Sequence, residues 1–234
     1  MTWSAGPLLG FDTETTGVNT ATDRIVTAAL VYDDGRGNRE THTWLINPGV
    51  EIPPAASQVH GITTEMARAS GQPPALALAE ISAHLVDALR SGIPLVAFNA
   101  AFDLSIIERE LARHGLPSLA ERAEVCPILD PLVIDRAVDR YRRGKRRLAD
   151  IAAAYGLNVS ENLHTAEVDV FATLDVLRAI LASHPELGLQ ELRAIHSWQC
   201  DAHRAWAENF NSWRTSKGLS GPGASPHWPI EPIG

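Results

Sequence analysis

Residues 7–14 read Pro-Leu-Leu-Gly-Phe-Asp-Thr-Glu, and residues 15–17 continue as Thr-Thr-Gly. The apolar start and the glycine-terminated polar end predict a strand followed by a turn. Side chains two apart on a strand share a face, so Asp12 and Glu14 point the same way with their carboxylates close together. Such a pair repels itself unless a cation lies between the two groups. A polar strand end without chemical purpose is the plainer reading of the hexapeptide Asp12–Gly17 taken alone.

Working outward, 24–33 (RIVTAALVYD) predicts a second strand, Asp33-Asp34-Gly35 a turn, and 39–46 (RETHTWLI) a third. Three strands joined by short turns make an antiparallel meander. Periodicity then changes to that of helices. The stretch 75–90 is amphipathic and stops before Gly92, 94–98 (PLVAF) is a short apolar strand, and 103–114 is a helix ending at Gly115. A strand handing over to a helix is half of a parallel crossover, so the expected fold is α/β, a mixed sheet flanked by helices. Further helices are expected near 128–140, 147–155 and 165–183, and His184-Pro185 stops the last. One or two helices should then run to about Lys217. The expected organisation is a catalytic domain over 1–185, a helical extension over 186–217 and a flexible or extended tail over 218–234, rich in Gly, Pro and Ser.

The chain has 234 residues, 45% of them hydrophobic and 21% charged, which supports a packed core and excludes compositional disorder. Cys126 and Cys200 stand far apart in no metal-binding spacing, so neither a disulfide framework nor a zinc site is indicated. No stretch approaches the roughly 18 apolar residues of a membrane span. A soluble, cytoplasmic protein is the expectation. The net charge of −8 argues against a nucleic-acid binder unless clustered acids hold metal.

Two more groups of polar residues sit where elements change. Asn99-Ala-Ala-Phe102-Asp103 lies at a strand-to-helix junction, where an acid is also what a plain helix N-terminus favours. His164-Thr-Ala-Glu-Val-Asp169 opens the helix 165–183, with His164 before it and Asp169 in its first turns. In order and type these groups resemble the three motifs of the DnaQ-like, or DEDDh, 3′-5′ exonucleases of the RNase H-like fold, the group of the polymerase III epsilon exonuclease domain. Val59-His60-Gly61-Ile62-Thr63 and the stretch 144–157 support the likeness, which covers residues 6–183.

The resemblance implies catalytic residues Asp12, Glu14, Asp103, His164 and Asp169. The four acids would hold two Mg²⁺ or Mn²⁺ ions, whose hard oxygen preference suits carboxylates, and His164 would accept the proton of the attacking water. Thr13, Thr15 and Thr16 are expected near the terminal nucleotide's 3′-hydroxyl and phosphate. His60, Ile62 and Phe102 are expected to stack on or wedge between the last bases, and Asn99 to hydrogen-bond within the site. Ordinary core packing is the competing reading for Ile62 and Phe102.

Seven of the twelve residues Arg136–Arg147 are basic, and this run is expected to meet phosphates, with Arg142, Arg143 and Lys145 foremost. Trp198, Trp206 and Trp213 recur at near-heptad steps in the extension, a pattern that most often packs a helix onto its domain. A polymerase or repair partner docking through the tail is a further expectation. The implied activity is removal of 5′-mononucleotides from the 3′ end of single-stranded DNA, in proofreading or repair. A 3′-5′ exoribonuclease or oligonucleotidase remains an alternative, as does an inactive module that binds nucleic acid or a partner.

Overall fold

The protein is described by a computed structural model covering residues 2–158 and 165–233. The three-strand meander forms as the sequence predicts, with β1 over Leu8–Thr15, β2 over Ile25–Asp33 and β3 over Arg39–Leu45. β1 pairs antiparallel with β2, setting Asp12 opposite Ala29 and Glu14 opposite Thr27, and the register shifts between Glu14 and Thr15. β4 (Leu95–Val96) adds to the other edge of β1 in parallel, and β5 (Ile128–Leu129) adds to β4 in parallel. The sheet order β3-β2-β1-β4-β5 makes it mixed and places β1 at its centre.

Helices α1 (Pro54–His60) and α2 (Thr64–Ser70) follow the meander, and both Pro54 and the Thr63 side chain mark helix starts. α3 (Pro74–Arg90) matches the expected 75–90 helix. The strand expected at 94–98 is only two residues long, because Asn99 turns into the left-handed region (φ 64°, ψ 48°) and α4 (Ala100–Arg113) begins at once. A non-glycine residue held there is uncommon, and asparagine tolerates it better than most.

After the short α5 (Leu119–Arg122), the helix expected near 128–140 resolves into β5 and then α6 (Pro131–Val138). Ile128 and Leu129 pair with Leu95 and Val96, and the Asp130 side chain then accepts from the amides of Leu132 and Val133. Asp130 thus caps α6 with Pro131 at its first position, which ends the strand. Two buried apolar residues carry too little periodicity to separate strand from helix.

α7 (Leu148–Ala154) and α8 (Ala166–Ser183) lie as expected, followed by α9 (Pro185–Gly188) and the 25-residue α10 (Leu192–Ser216). Residues 219–233 form no helix or strand and fold back onto the domain. Trp228 is buried and its indole N–H donates to the Asp130 carboxylate at 3.2 Å.

The sheet separates two apolar layers. Leu9 and Phe11 face one layer with Leu78, Ile81 and Leu85 of α3 and Leu104 and Ile107 of α4. Leu8 faces the other, with Val170, Leu174 and Leu177 of α8. Gly10 also faces α8, and a Cβ there would stand 2.4 Å from Val170 Cγ1. The missing side chain lets α8 lie directly against β1. Among the described residues, no helix is long and apolar enough to cross a membrane.

Candidate active site

Strand alternation and the close seating of α8 build the site together. Asp12 and Glu14 share the face of β1 on which Leu8 and Gly10 meet α8, and Asp169 projects from the first turn of that helix. Asp12, Glu14 and Asp169 each offer a carboxylate oxygen, and these atoms lie within 4.8 Å of one another. Thr13, between the two acids, points the opposite way. Its amide and hydroxyl donate to Asp103 Oδ1 at 3.0 and 2.8 Å, so the fourth acid is drawn to the strand end from the α4 side.

The charges explain the cost of this arrangement. Burial raises Asp12 well above the ordinary carboxylate range, and the neighbouring Asp103, Asp169 and Glu14 raise it further. Glu14 is pushed up to about 7 by burial and then by Asp169 and Asp103. Asp103, fully enclosed at the start of α4, also rises to about 7 through burial, against the lowering effect of the two Thr13 hydrogen bonds. Three oxygens converge on one point, all hard donors, and among the described residues the causes that move Asp12 and Glu14 are burial and other carboxylates. That donor set fits a divalent cation such as Mg²⁺ or Mn²⁺.

Two cavities flank the acids. One of about 300 Å³ is lined by Glu14, His60, Ile62, Trp44 and Thr165 among others. The other, about 420 Å³, is lined by Asp12, Thr13, Asn99, Phe102, Asp103 and Asp169, with Phe98, Arg136 and Arg146. His60, Ile62, Asn99 and Phe102 therefore stand beside the acids. Ile62 and Phe102 also pack against apolar clusters, so for these two the packing and site readings coexist.

The hydroxyls of Thr15 and Thr16 bond within the protein. Thr15 donates to Gly17 O at 2.6 Å, and Thr16 donates to Asp23 Oδ1 at 2.9 Å while accepting from the Arg24 amide. Their hydroxyls hold the turn after β1, and neither residue lines the two cavities. His164 lies outside the described residues.

Asp130 was not read from the sequence, and the basic run divides. Arg136 and Arg146 line the acid-bearing cavity, and Arg146, like Arg142 of the same basic run, is tied to the buried Asp135. Asp130 fastens the corner that carries Asp103, accepting from the amides of Asn99 (3.0 Å) and Ala100 (2.9 Å). The Asp130-Pro131 pair was its only sequence signal, a capping residue ahead of a first-turn proline.

The sequence model of the exonuclease family matches residues 9–177, from β1 through most of α8, and so includes every acid of the site. This chain belongs to the exonuclease family. Two bacterial relatives agree. A polymerase III epsilon-like protein of Rhodobacter capsulatus is 32% identical over 79% of this chain, and polymerase III subunit epsilon of Treponema pallidum is 30% identical over 74% of it. The exonuclease chain spans about a quarter of the first relative (25%) and about three quarters of the second (76%).

Among solved structures, E. coli exonuclease I in complex with a dT13 oligonucleotide superposes with a TM-score of 0.65 at 24% identity. The match covers 78% of this chain and 42% of that one. The RNase H-like fold expected from the motifs is the fold of this exonuclease.

Proposed function

We propose that this exonuclease hydrolyses phosphodiester bonds one nucleotide at a time from the 3′ end of single-stranded DNA, using two Mg²⁺ or Mn²⁺ ions and releasing nucleoside 5′-monophosphates. The observation that carries the reading is the convergence of Asp12, Glu14 and Asp169 on one point, with Asp103 held beside them by Thr13. Asp12, Glu14 and Asp169 would hold one ion, and Asp12 with Asp103 the other. When bound, such a pair supplies an activated water and neutralises the charge that develops on the phosphoryl group and the leaving 3′ oxygen.

The protein's own groups do the positioning. Thr13 orients Asp103, and Asn99 and Phe102 border the space over it. The His60 and Ile62 wall beside Glu14 offers surface to a terminal base without reading its edges. Arg136 and Arg146 bring positive charge to the phosphate side. His164, by its place in the third motif, takes the water's proton, a role suited to an imidazole near neutral pH. DNA is favoured over RNA because the relatives are polymerase III epsilon proteins and exonuclease I is solved with a deoxyribonucleotide strand. A replicative or repair polymerase as partner follows from the same relatives.

Purified protein is incubated with a 3′-labelled single-stranded oligodeoxynucleotide and Mg²⁺ or Mn²⁺, beside an Asp12→Ala control, and products are resolved by length. Stepwise loss from the labelled end to 5′-mononucleotides is expected, with a decrease of more than about 10²-fold in the variant. Undiminished degradation in the variant, or none with either metal, would refute the proposal. A faster rate on RNA of the same sequence would transfer the activity to ribonucleotide ends.

A further inference from the structure

The long helix α10 carries an aromatic ladder that the catalytic site does not use. Trp206, Phe210 and Trp213 fall at i, i+4 and i+7 on one side of the helix. The Trp206 and Phe210 rings stack at 5.5 Å with planes 15° apart, and Phe210 and Trp213 at 5.8 Å and 29°. The residues that bury α10 against the domain are Ile195, Gln199, His203 and Ala207, a neighbouring stripe. The ladder therefore lies beside the packed face, and Trp213 remains 49% exposed.

Facing the ladder is the basic segment 136–147. A groove of about 530 Å³ runs between the two, lined by Arg136, Arg140 and Arg146 on one side and by Trp206 and Phe210 on the other, with no acid in its walls. The Arg136 guanidinium lies 3.7 Å over the Trp206 ring. Its N–H groups donate to no described residue, and although burial lowers it to about 10, it keeps its charge at neutral pH. Arg140 is exposed and pairs with no carboxylate among the described residues, stacking only on Tyr141. In a chain of net charge −8 this is a local concentration of positive charge beside stacked aromatic faces.

Arg136 and Arg146 line this groove and also the cavity that holds Asp12, Asp103 and Asp169. The two spaces share a wall. We propose that the groove is a second single-strand subsite, which seats the nucleotides on the 5′ side of the one being removed, with bases on the Trp206-Phe210-Trp213 ladder and phosphates on Arg136 and Arg140. Aromatic faces grip any base, and the arginines pair with the backbone, so the subsite is sequence-tolerant. The inference rests on the proposed exonuclease activity for its orientation, since the acid site defines where the 3′ end lies.

The test uses the full chain and oligothymidylates of four and twelve nucleotides. For each protein the ratio of KM for the short strand to KM for the long one is measured, a ratio that a general loss of activity leaves unmoved. One stacked base contributes about five- to hundredfold in affinity, so the wild-type ratio should be about ten or more. It should fall toward one in Phe210→Ala and in the surface change Arg140→Glu, which disturbs no packed residue.

A 5-iododeoxyuridine placed three to six nucleotides from the 3′ end should crosslink to Trp206, Phe210 or Trp213. A wild-type ratio of one, a ratio unmoved in Arg140→Glu, or crosslinks that avoid α10 would overturn the proposal. So would an anionic peptide that binds with the same dependence on Phe210 and Arg140, because it would assign the groove to a protein partner. If neither strand is hydrolysed, the exonuclease reading fails by itself, and fluorescence anisotropy of the same two strands still reads the groove through its length dependence.

Discussion

Replacing Glu14 by Gln should make the metal-free protein more stable at alkaline pH and less responsive to metal. The Glu14 carboxyl lies at about 7 in the fold against an ordinary 4.5, a rise of about 2.5. At about 1.4 kcal/mol per unit, ionised Glu14 costs the metal-free fold roughly 3 kcal/mol, and discounting by half for its partial exposure leaves about 1.5–2 kcal/mol. The sign follows from proton counting. Between 4.5 and 7 the folded state binds more protons than the unfolded one at this position, so stability falls as pH rises through that window and the full cost stands above it.

Glutamine keeps the shape and removes the charge. For a chain of this size the change corresponds to a melting temperature higher by about 3–8 °C at pH 8 in EDTA, shrinking toward zero at pH 5. Measuring the difference between variant and wild type isolates Glu14 from His60, His196 and His203. Burial depresses those three, so they act in the opposite direction and destabilise the fold as pH falls. With Mg²⁺ or Mn²⁺ at pH 8 the order should narrow or invert, because the wild type gains a ligand for the ion. Scanning calorimetry at pH 5, 6.5 and 8, with EDTA and with metal, supplies the readings. A Glu14→Gln protein that melts at or below the wild type at pH 8 in EDTA would refute the reasoning.

Thr13→Val removes the 2.8 Å hydroxyl bond to buried Asp103, which should lower stability by about 1.5–3 kcal/mol at pH 8 and by less at pH 5, where the carboxyl is protonated; urea unfolding at the two pH values measures it. Gly10→Ala forces a Cβ to within 2.4 Å of Val170, so α8 must shift, with a loss of about 1–3 kcal/mol and weaker Mn²⁺ binding by titration calorimetry as Asp169 moves away. Trp228→Ala should cost about 3–5 kcal/mol, because it empties a buried site and removes the indole bond to Asp130, and its melting temperature checks this.

The order of elements was readable wherever periodicity ran long enough. The meander and the helices around 75–90 and 165–183 all carry patterns of about eight residues or more. Ile128-Leu129 does not, and its conversion from expected helix to strand depends on Leu95-Val96, more than thirty residues away. The extended tail was readable as Gly, Pro and Ser, but the burial of Trp228 against Asp130 was not, because a single aromatic in such a stretch has no period to place it.

From the sequence by itself came the chemistry: two acids on one strand face, a third at a strand-to-helix junction and a fourth at a helix start, in an order that names a family. Strand alternation is a local property, so Asp12 and Glu14 could be paired without any knowledge of the fold. Only tertiary structure decided how the remaining acids reach them. Gly10 admits α8 and with it Asp169, while Thr13 turns to the opposite face and draws in Asp103. The groove under Arg136 likewise exists because α10 returns across α6, a long-range packing outcome that no stretch of residues encodes on its own.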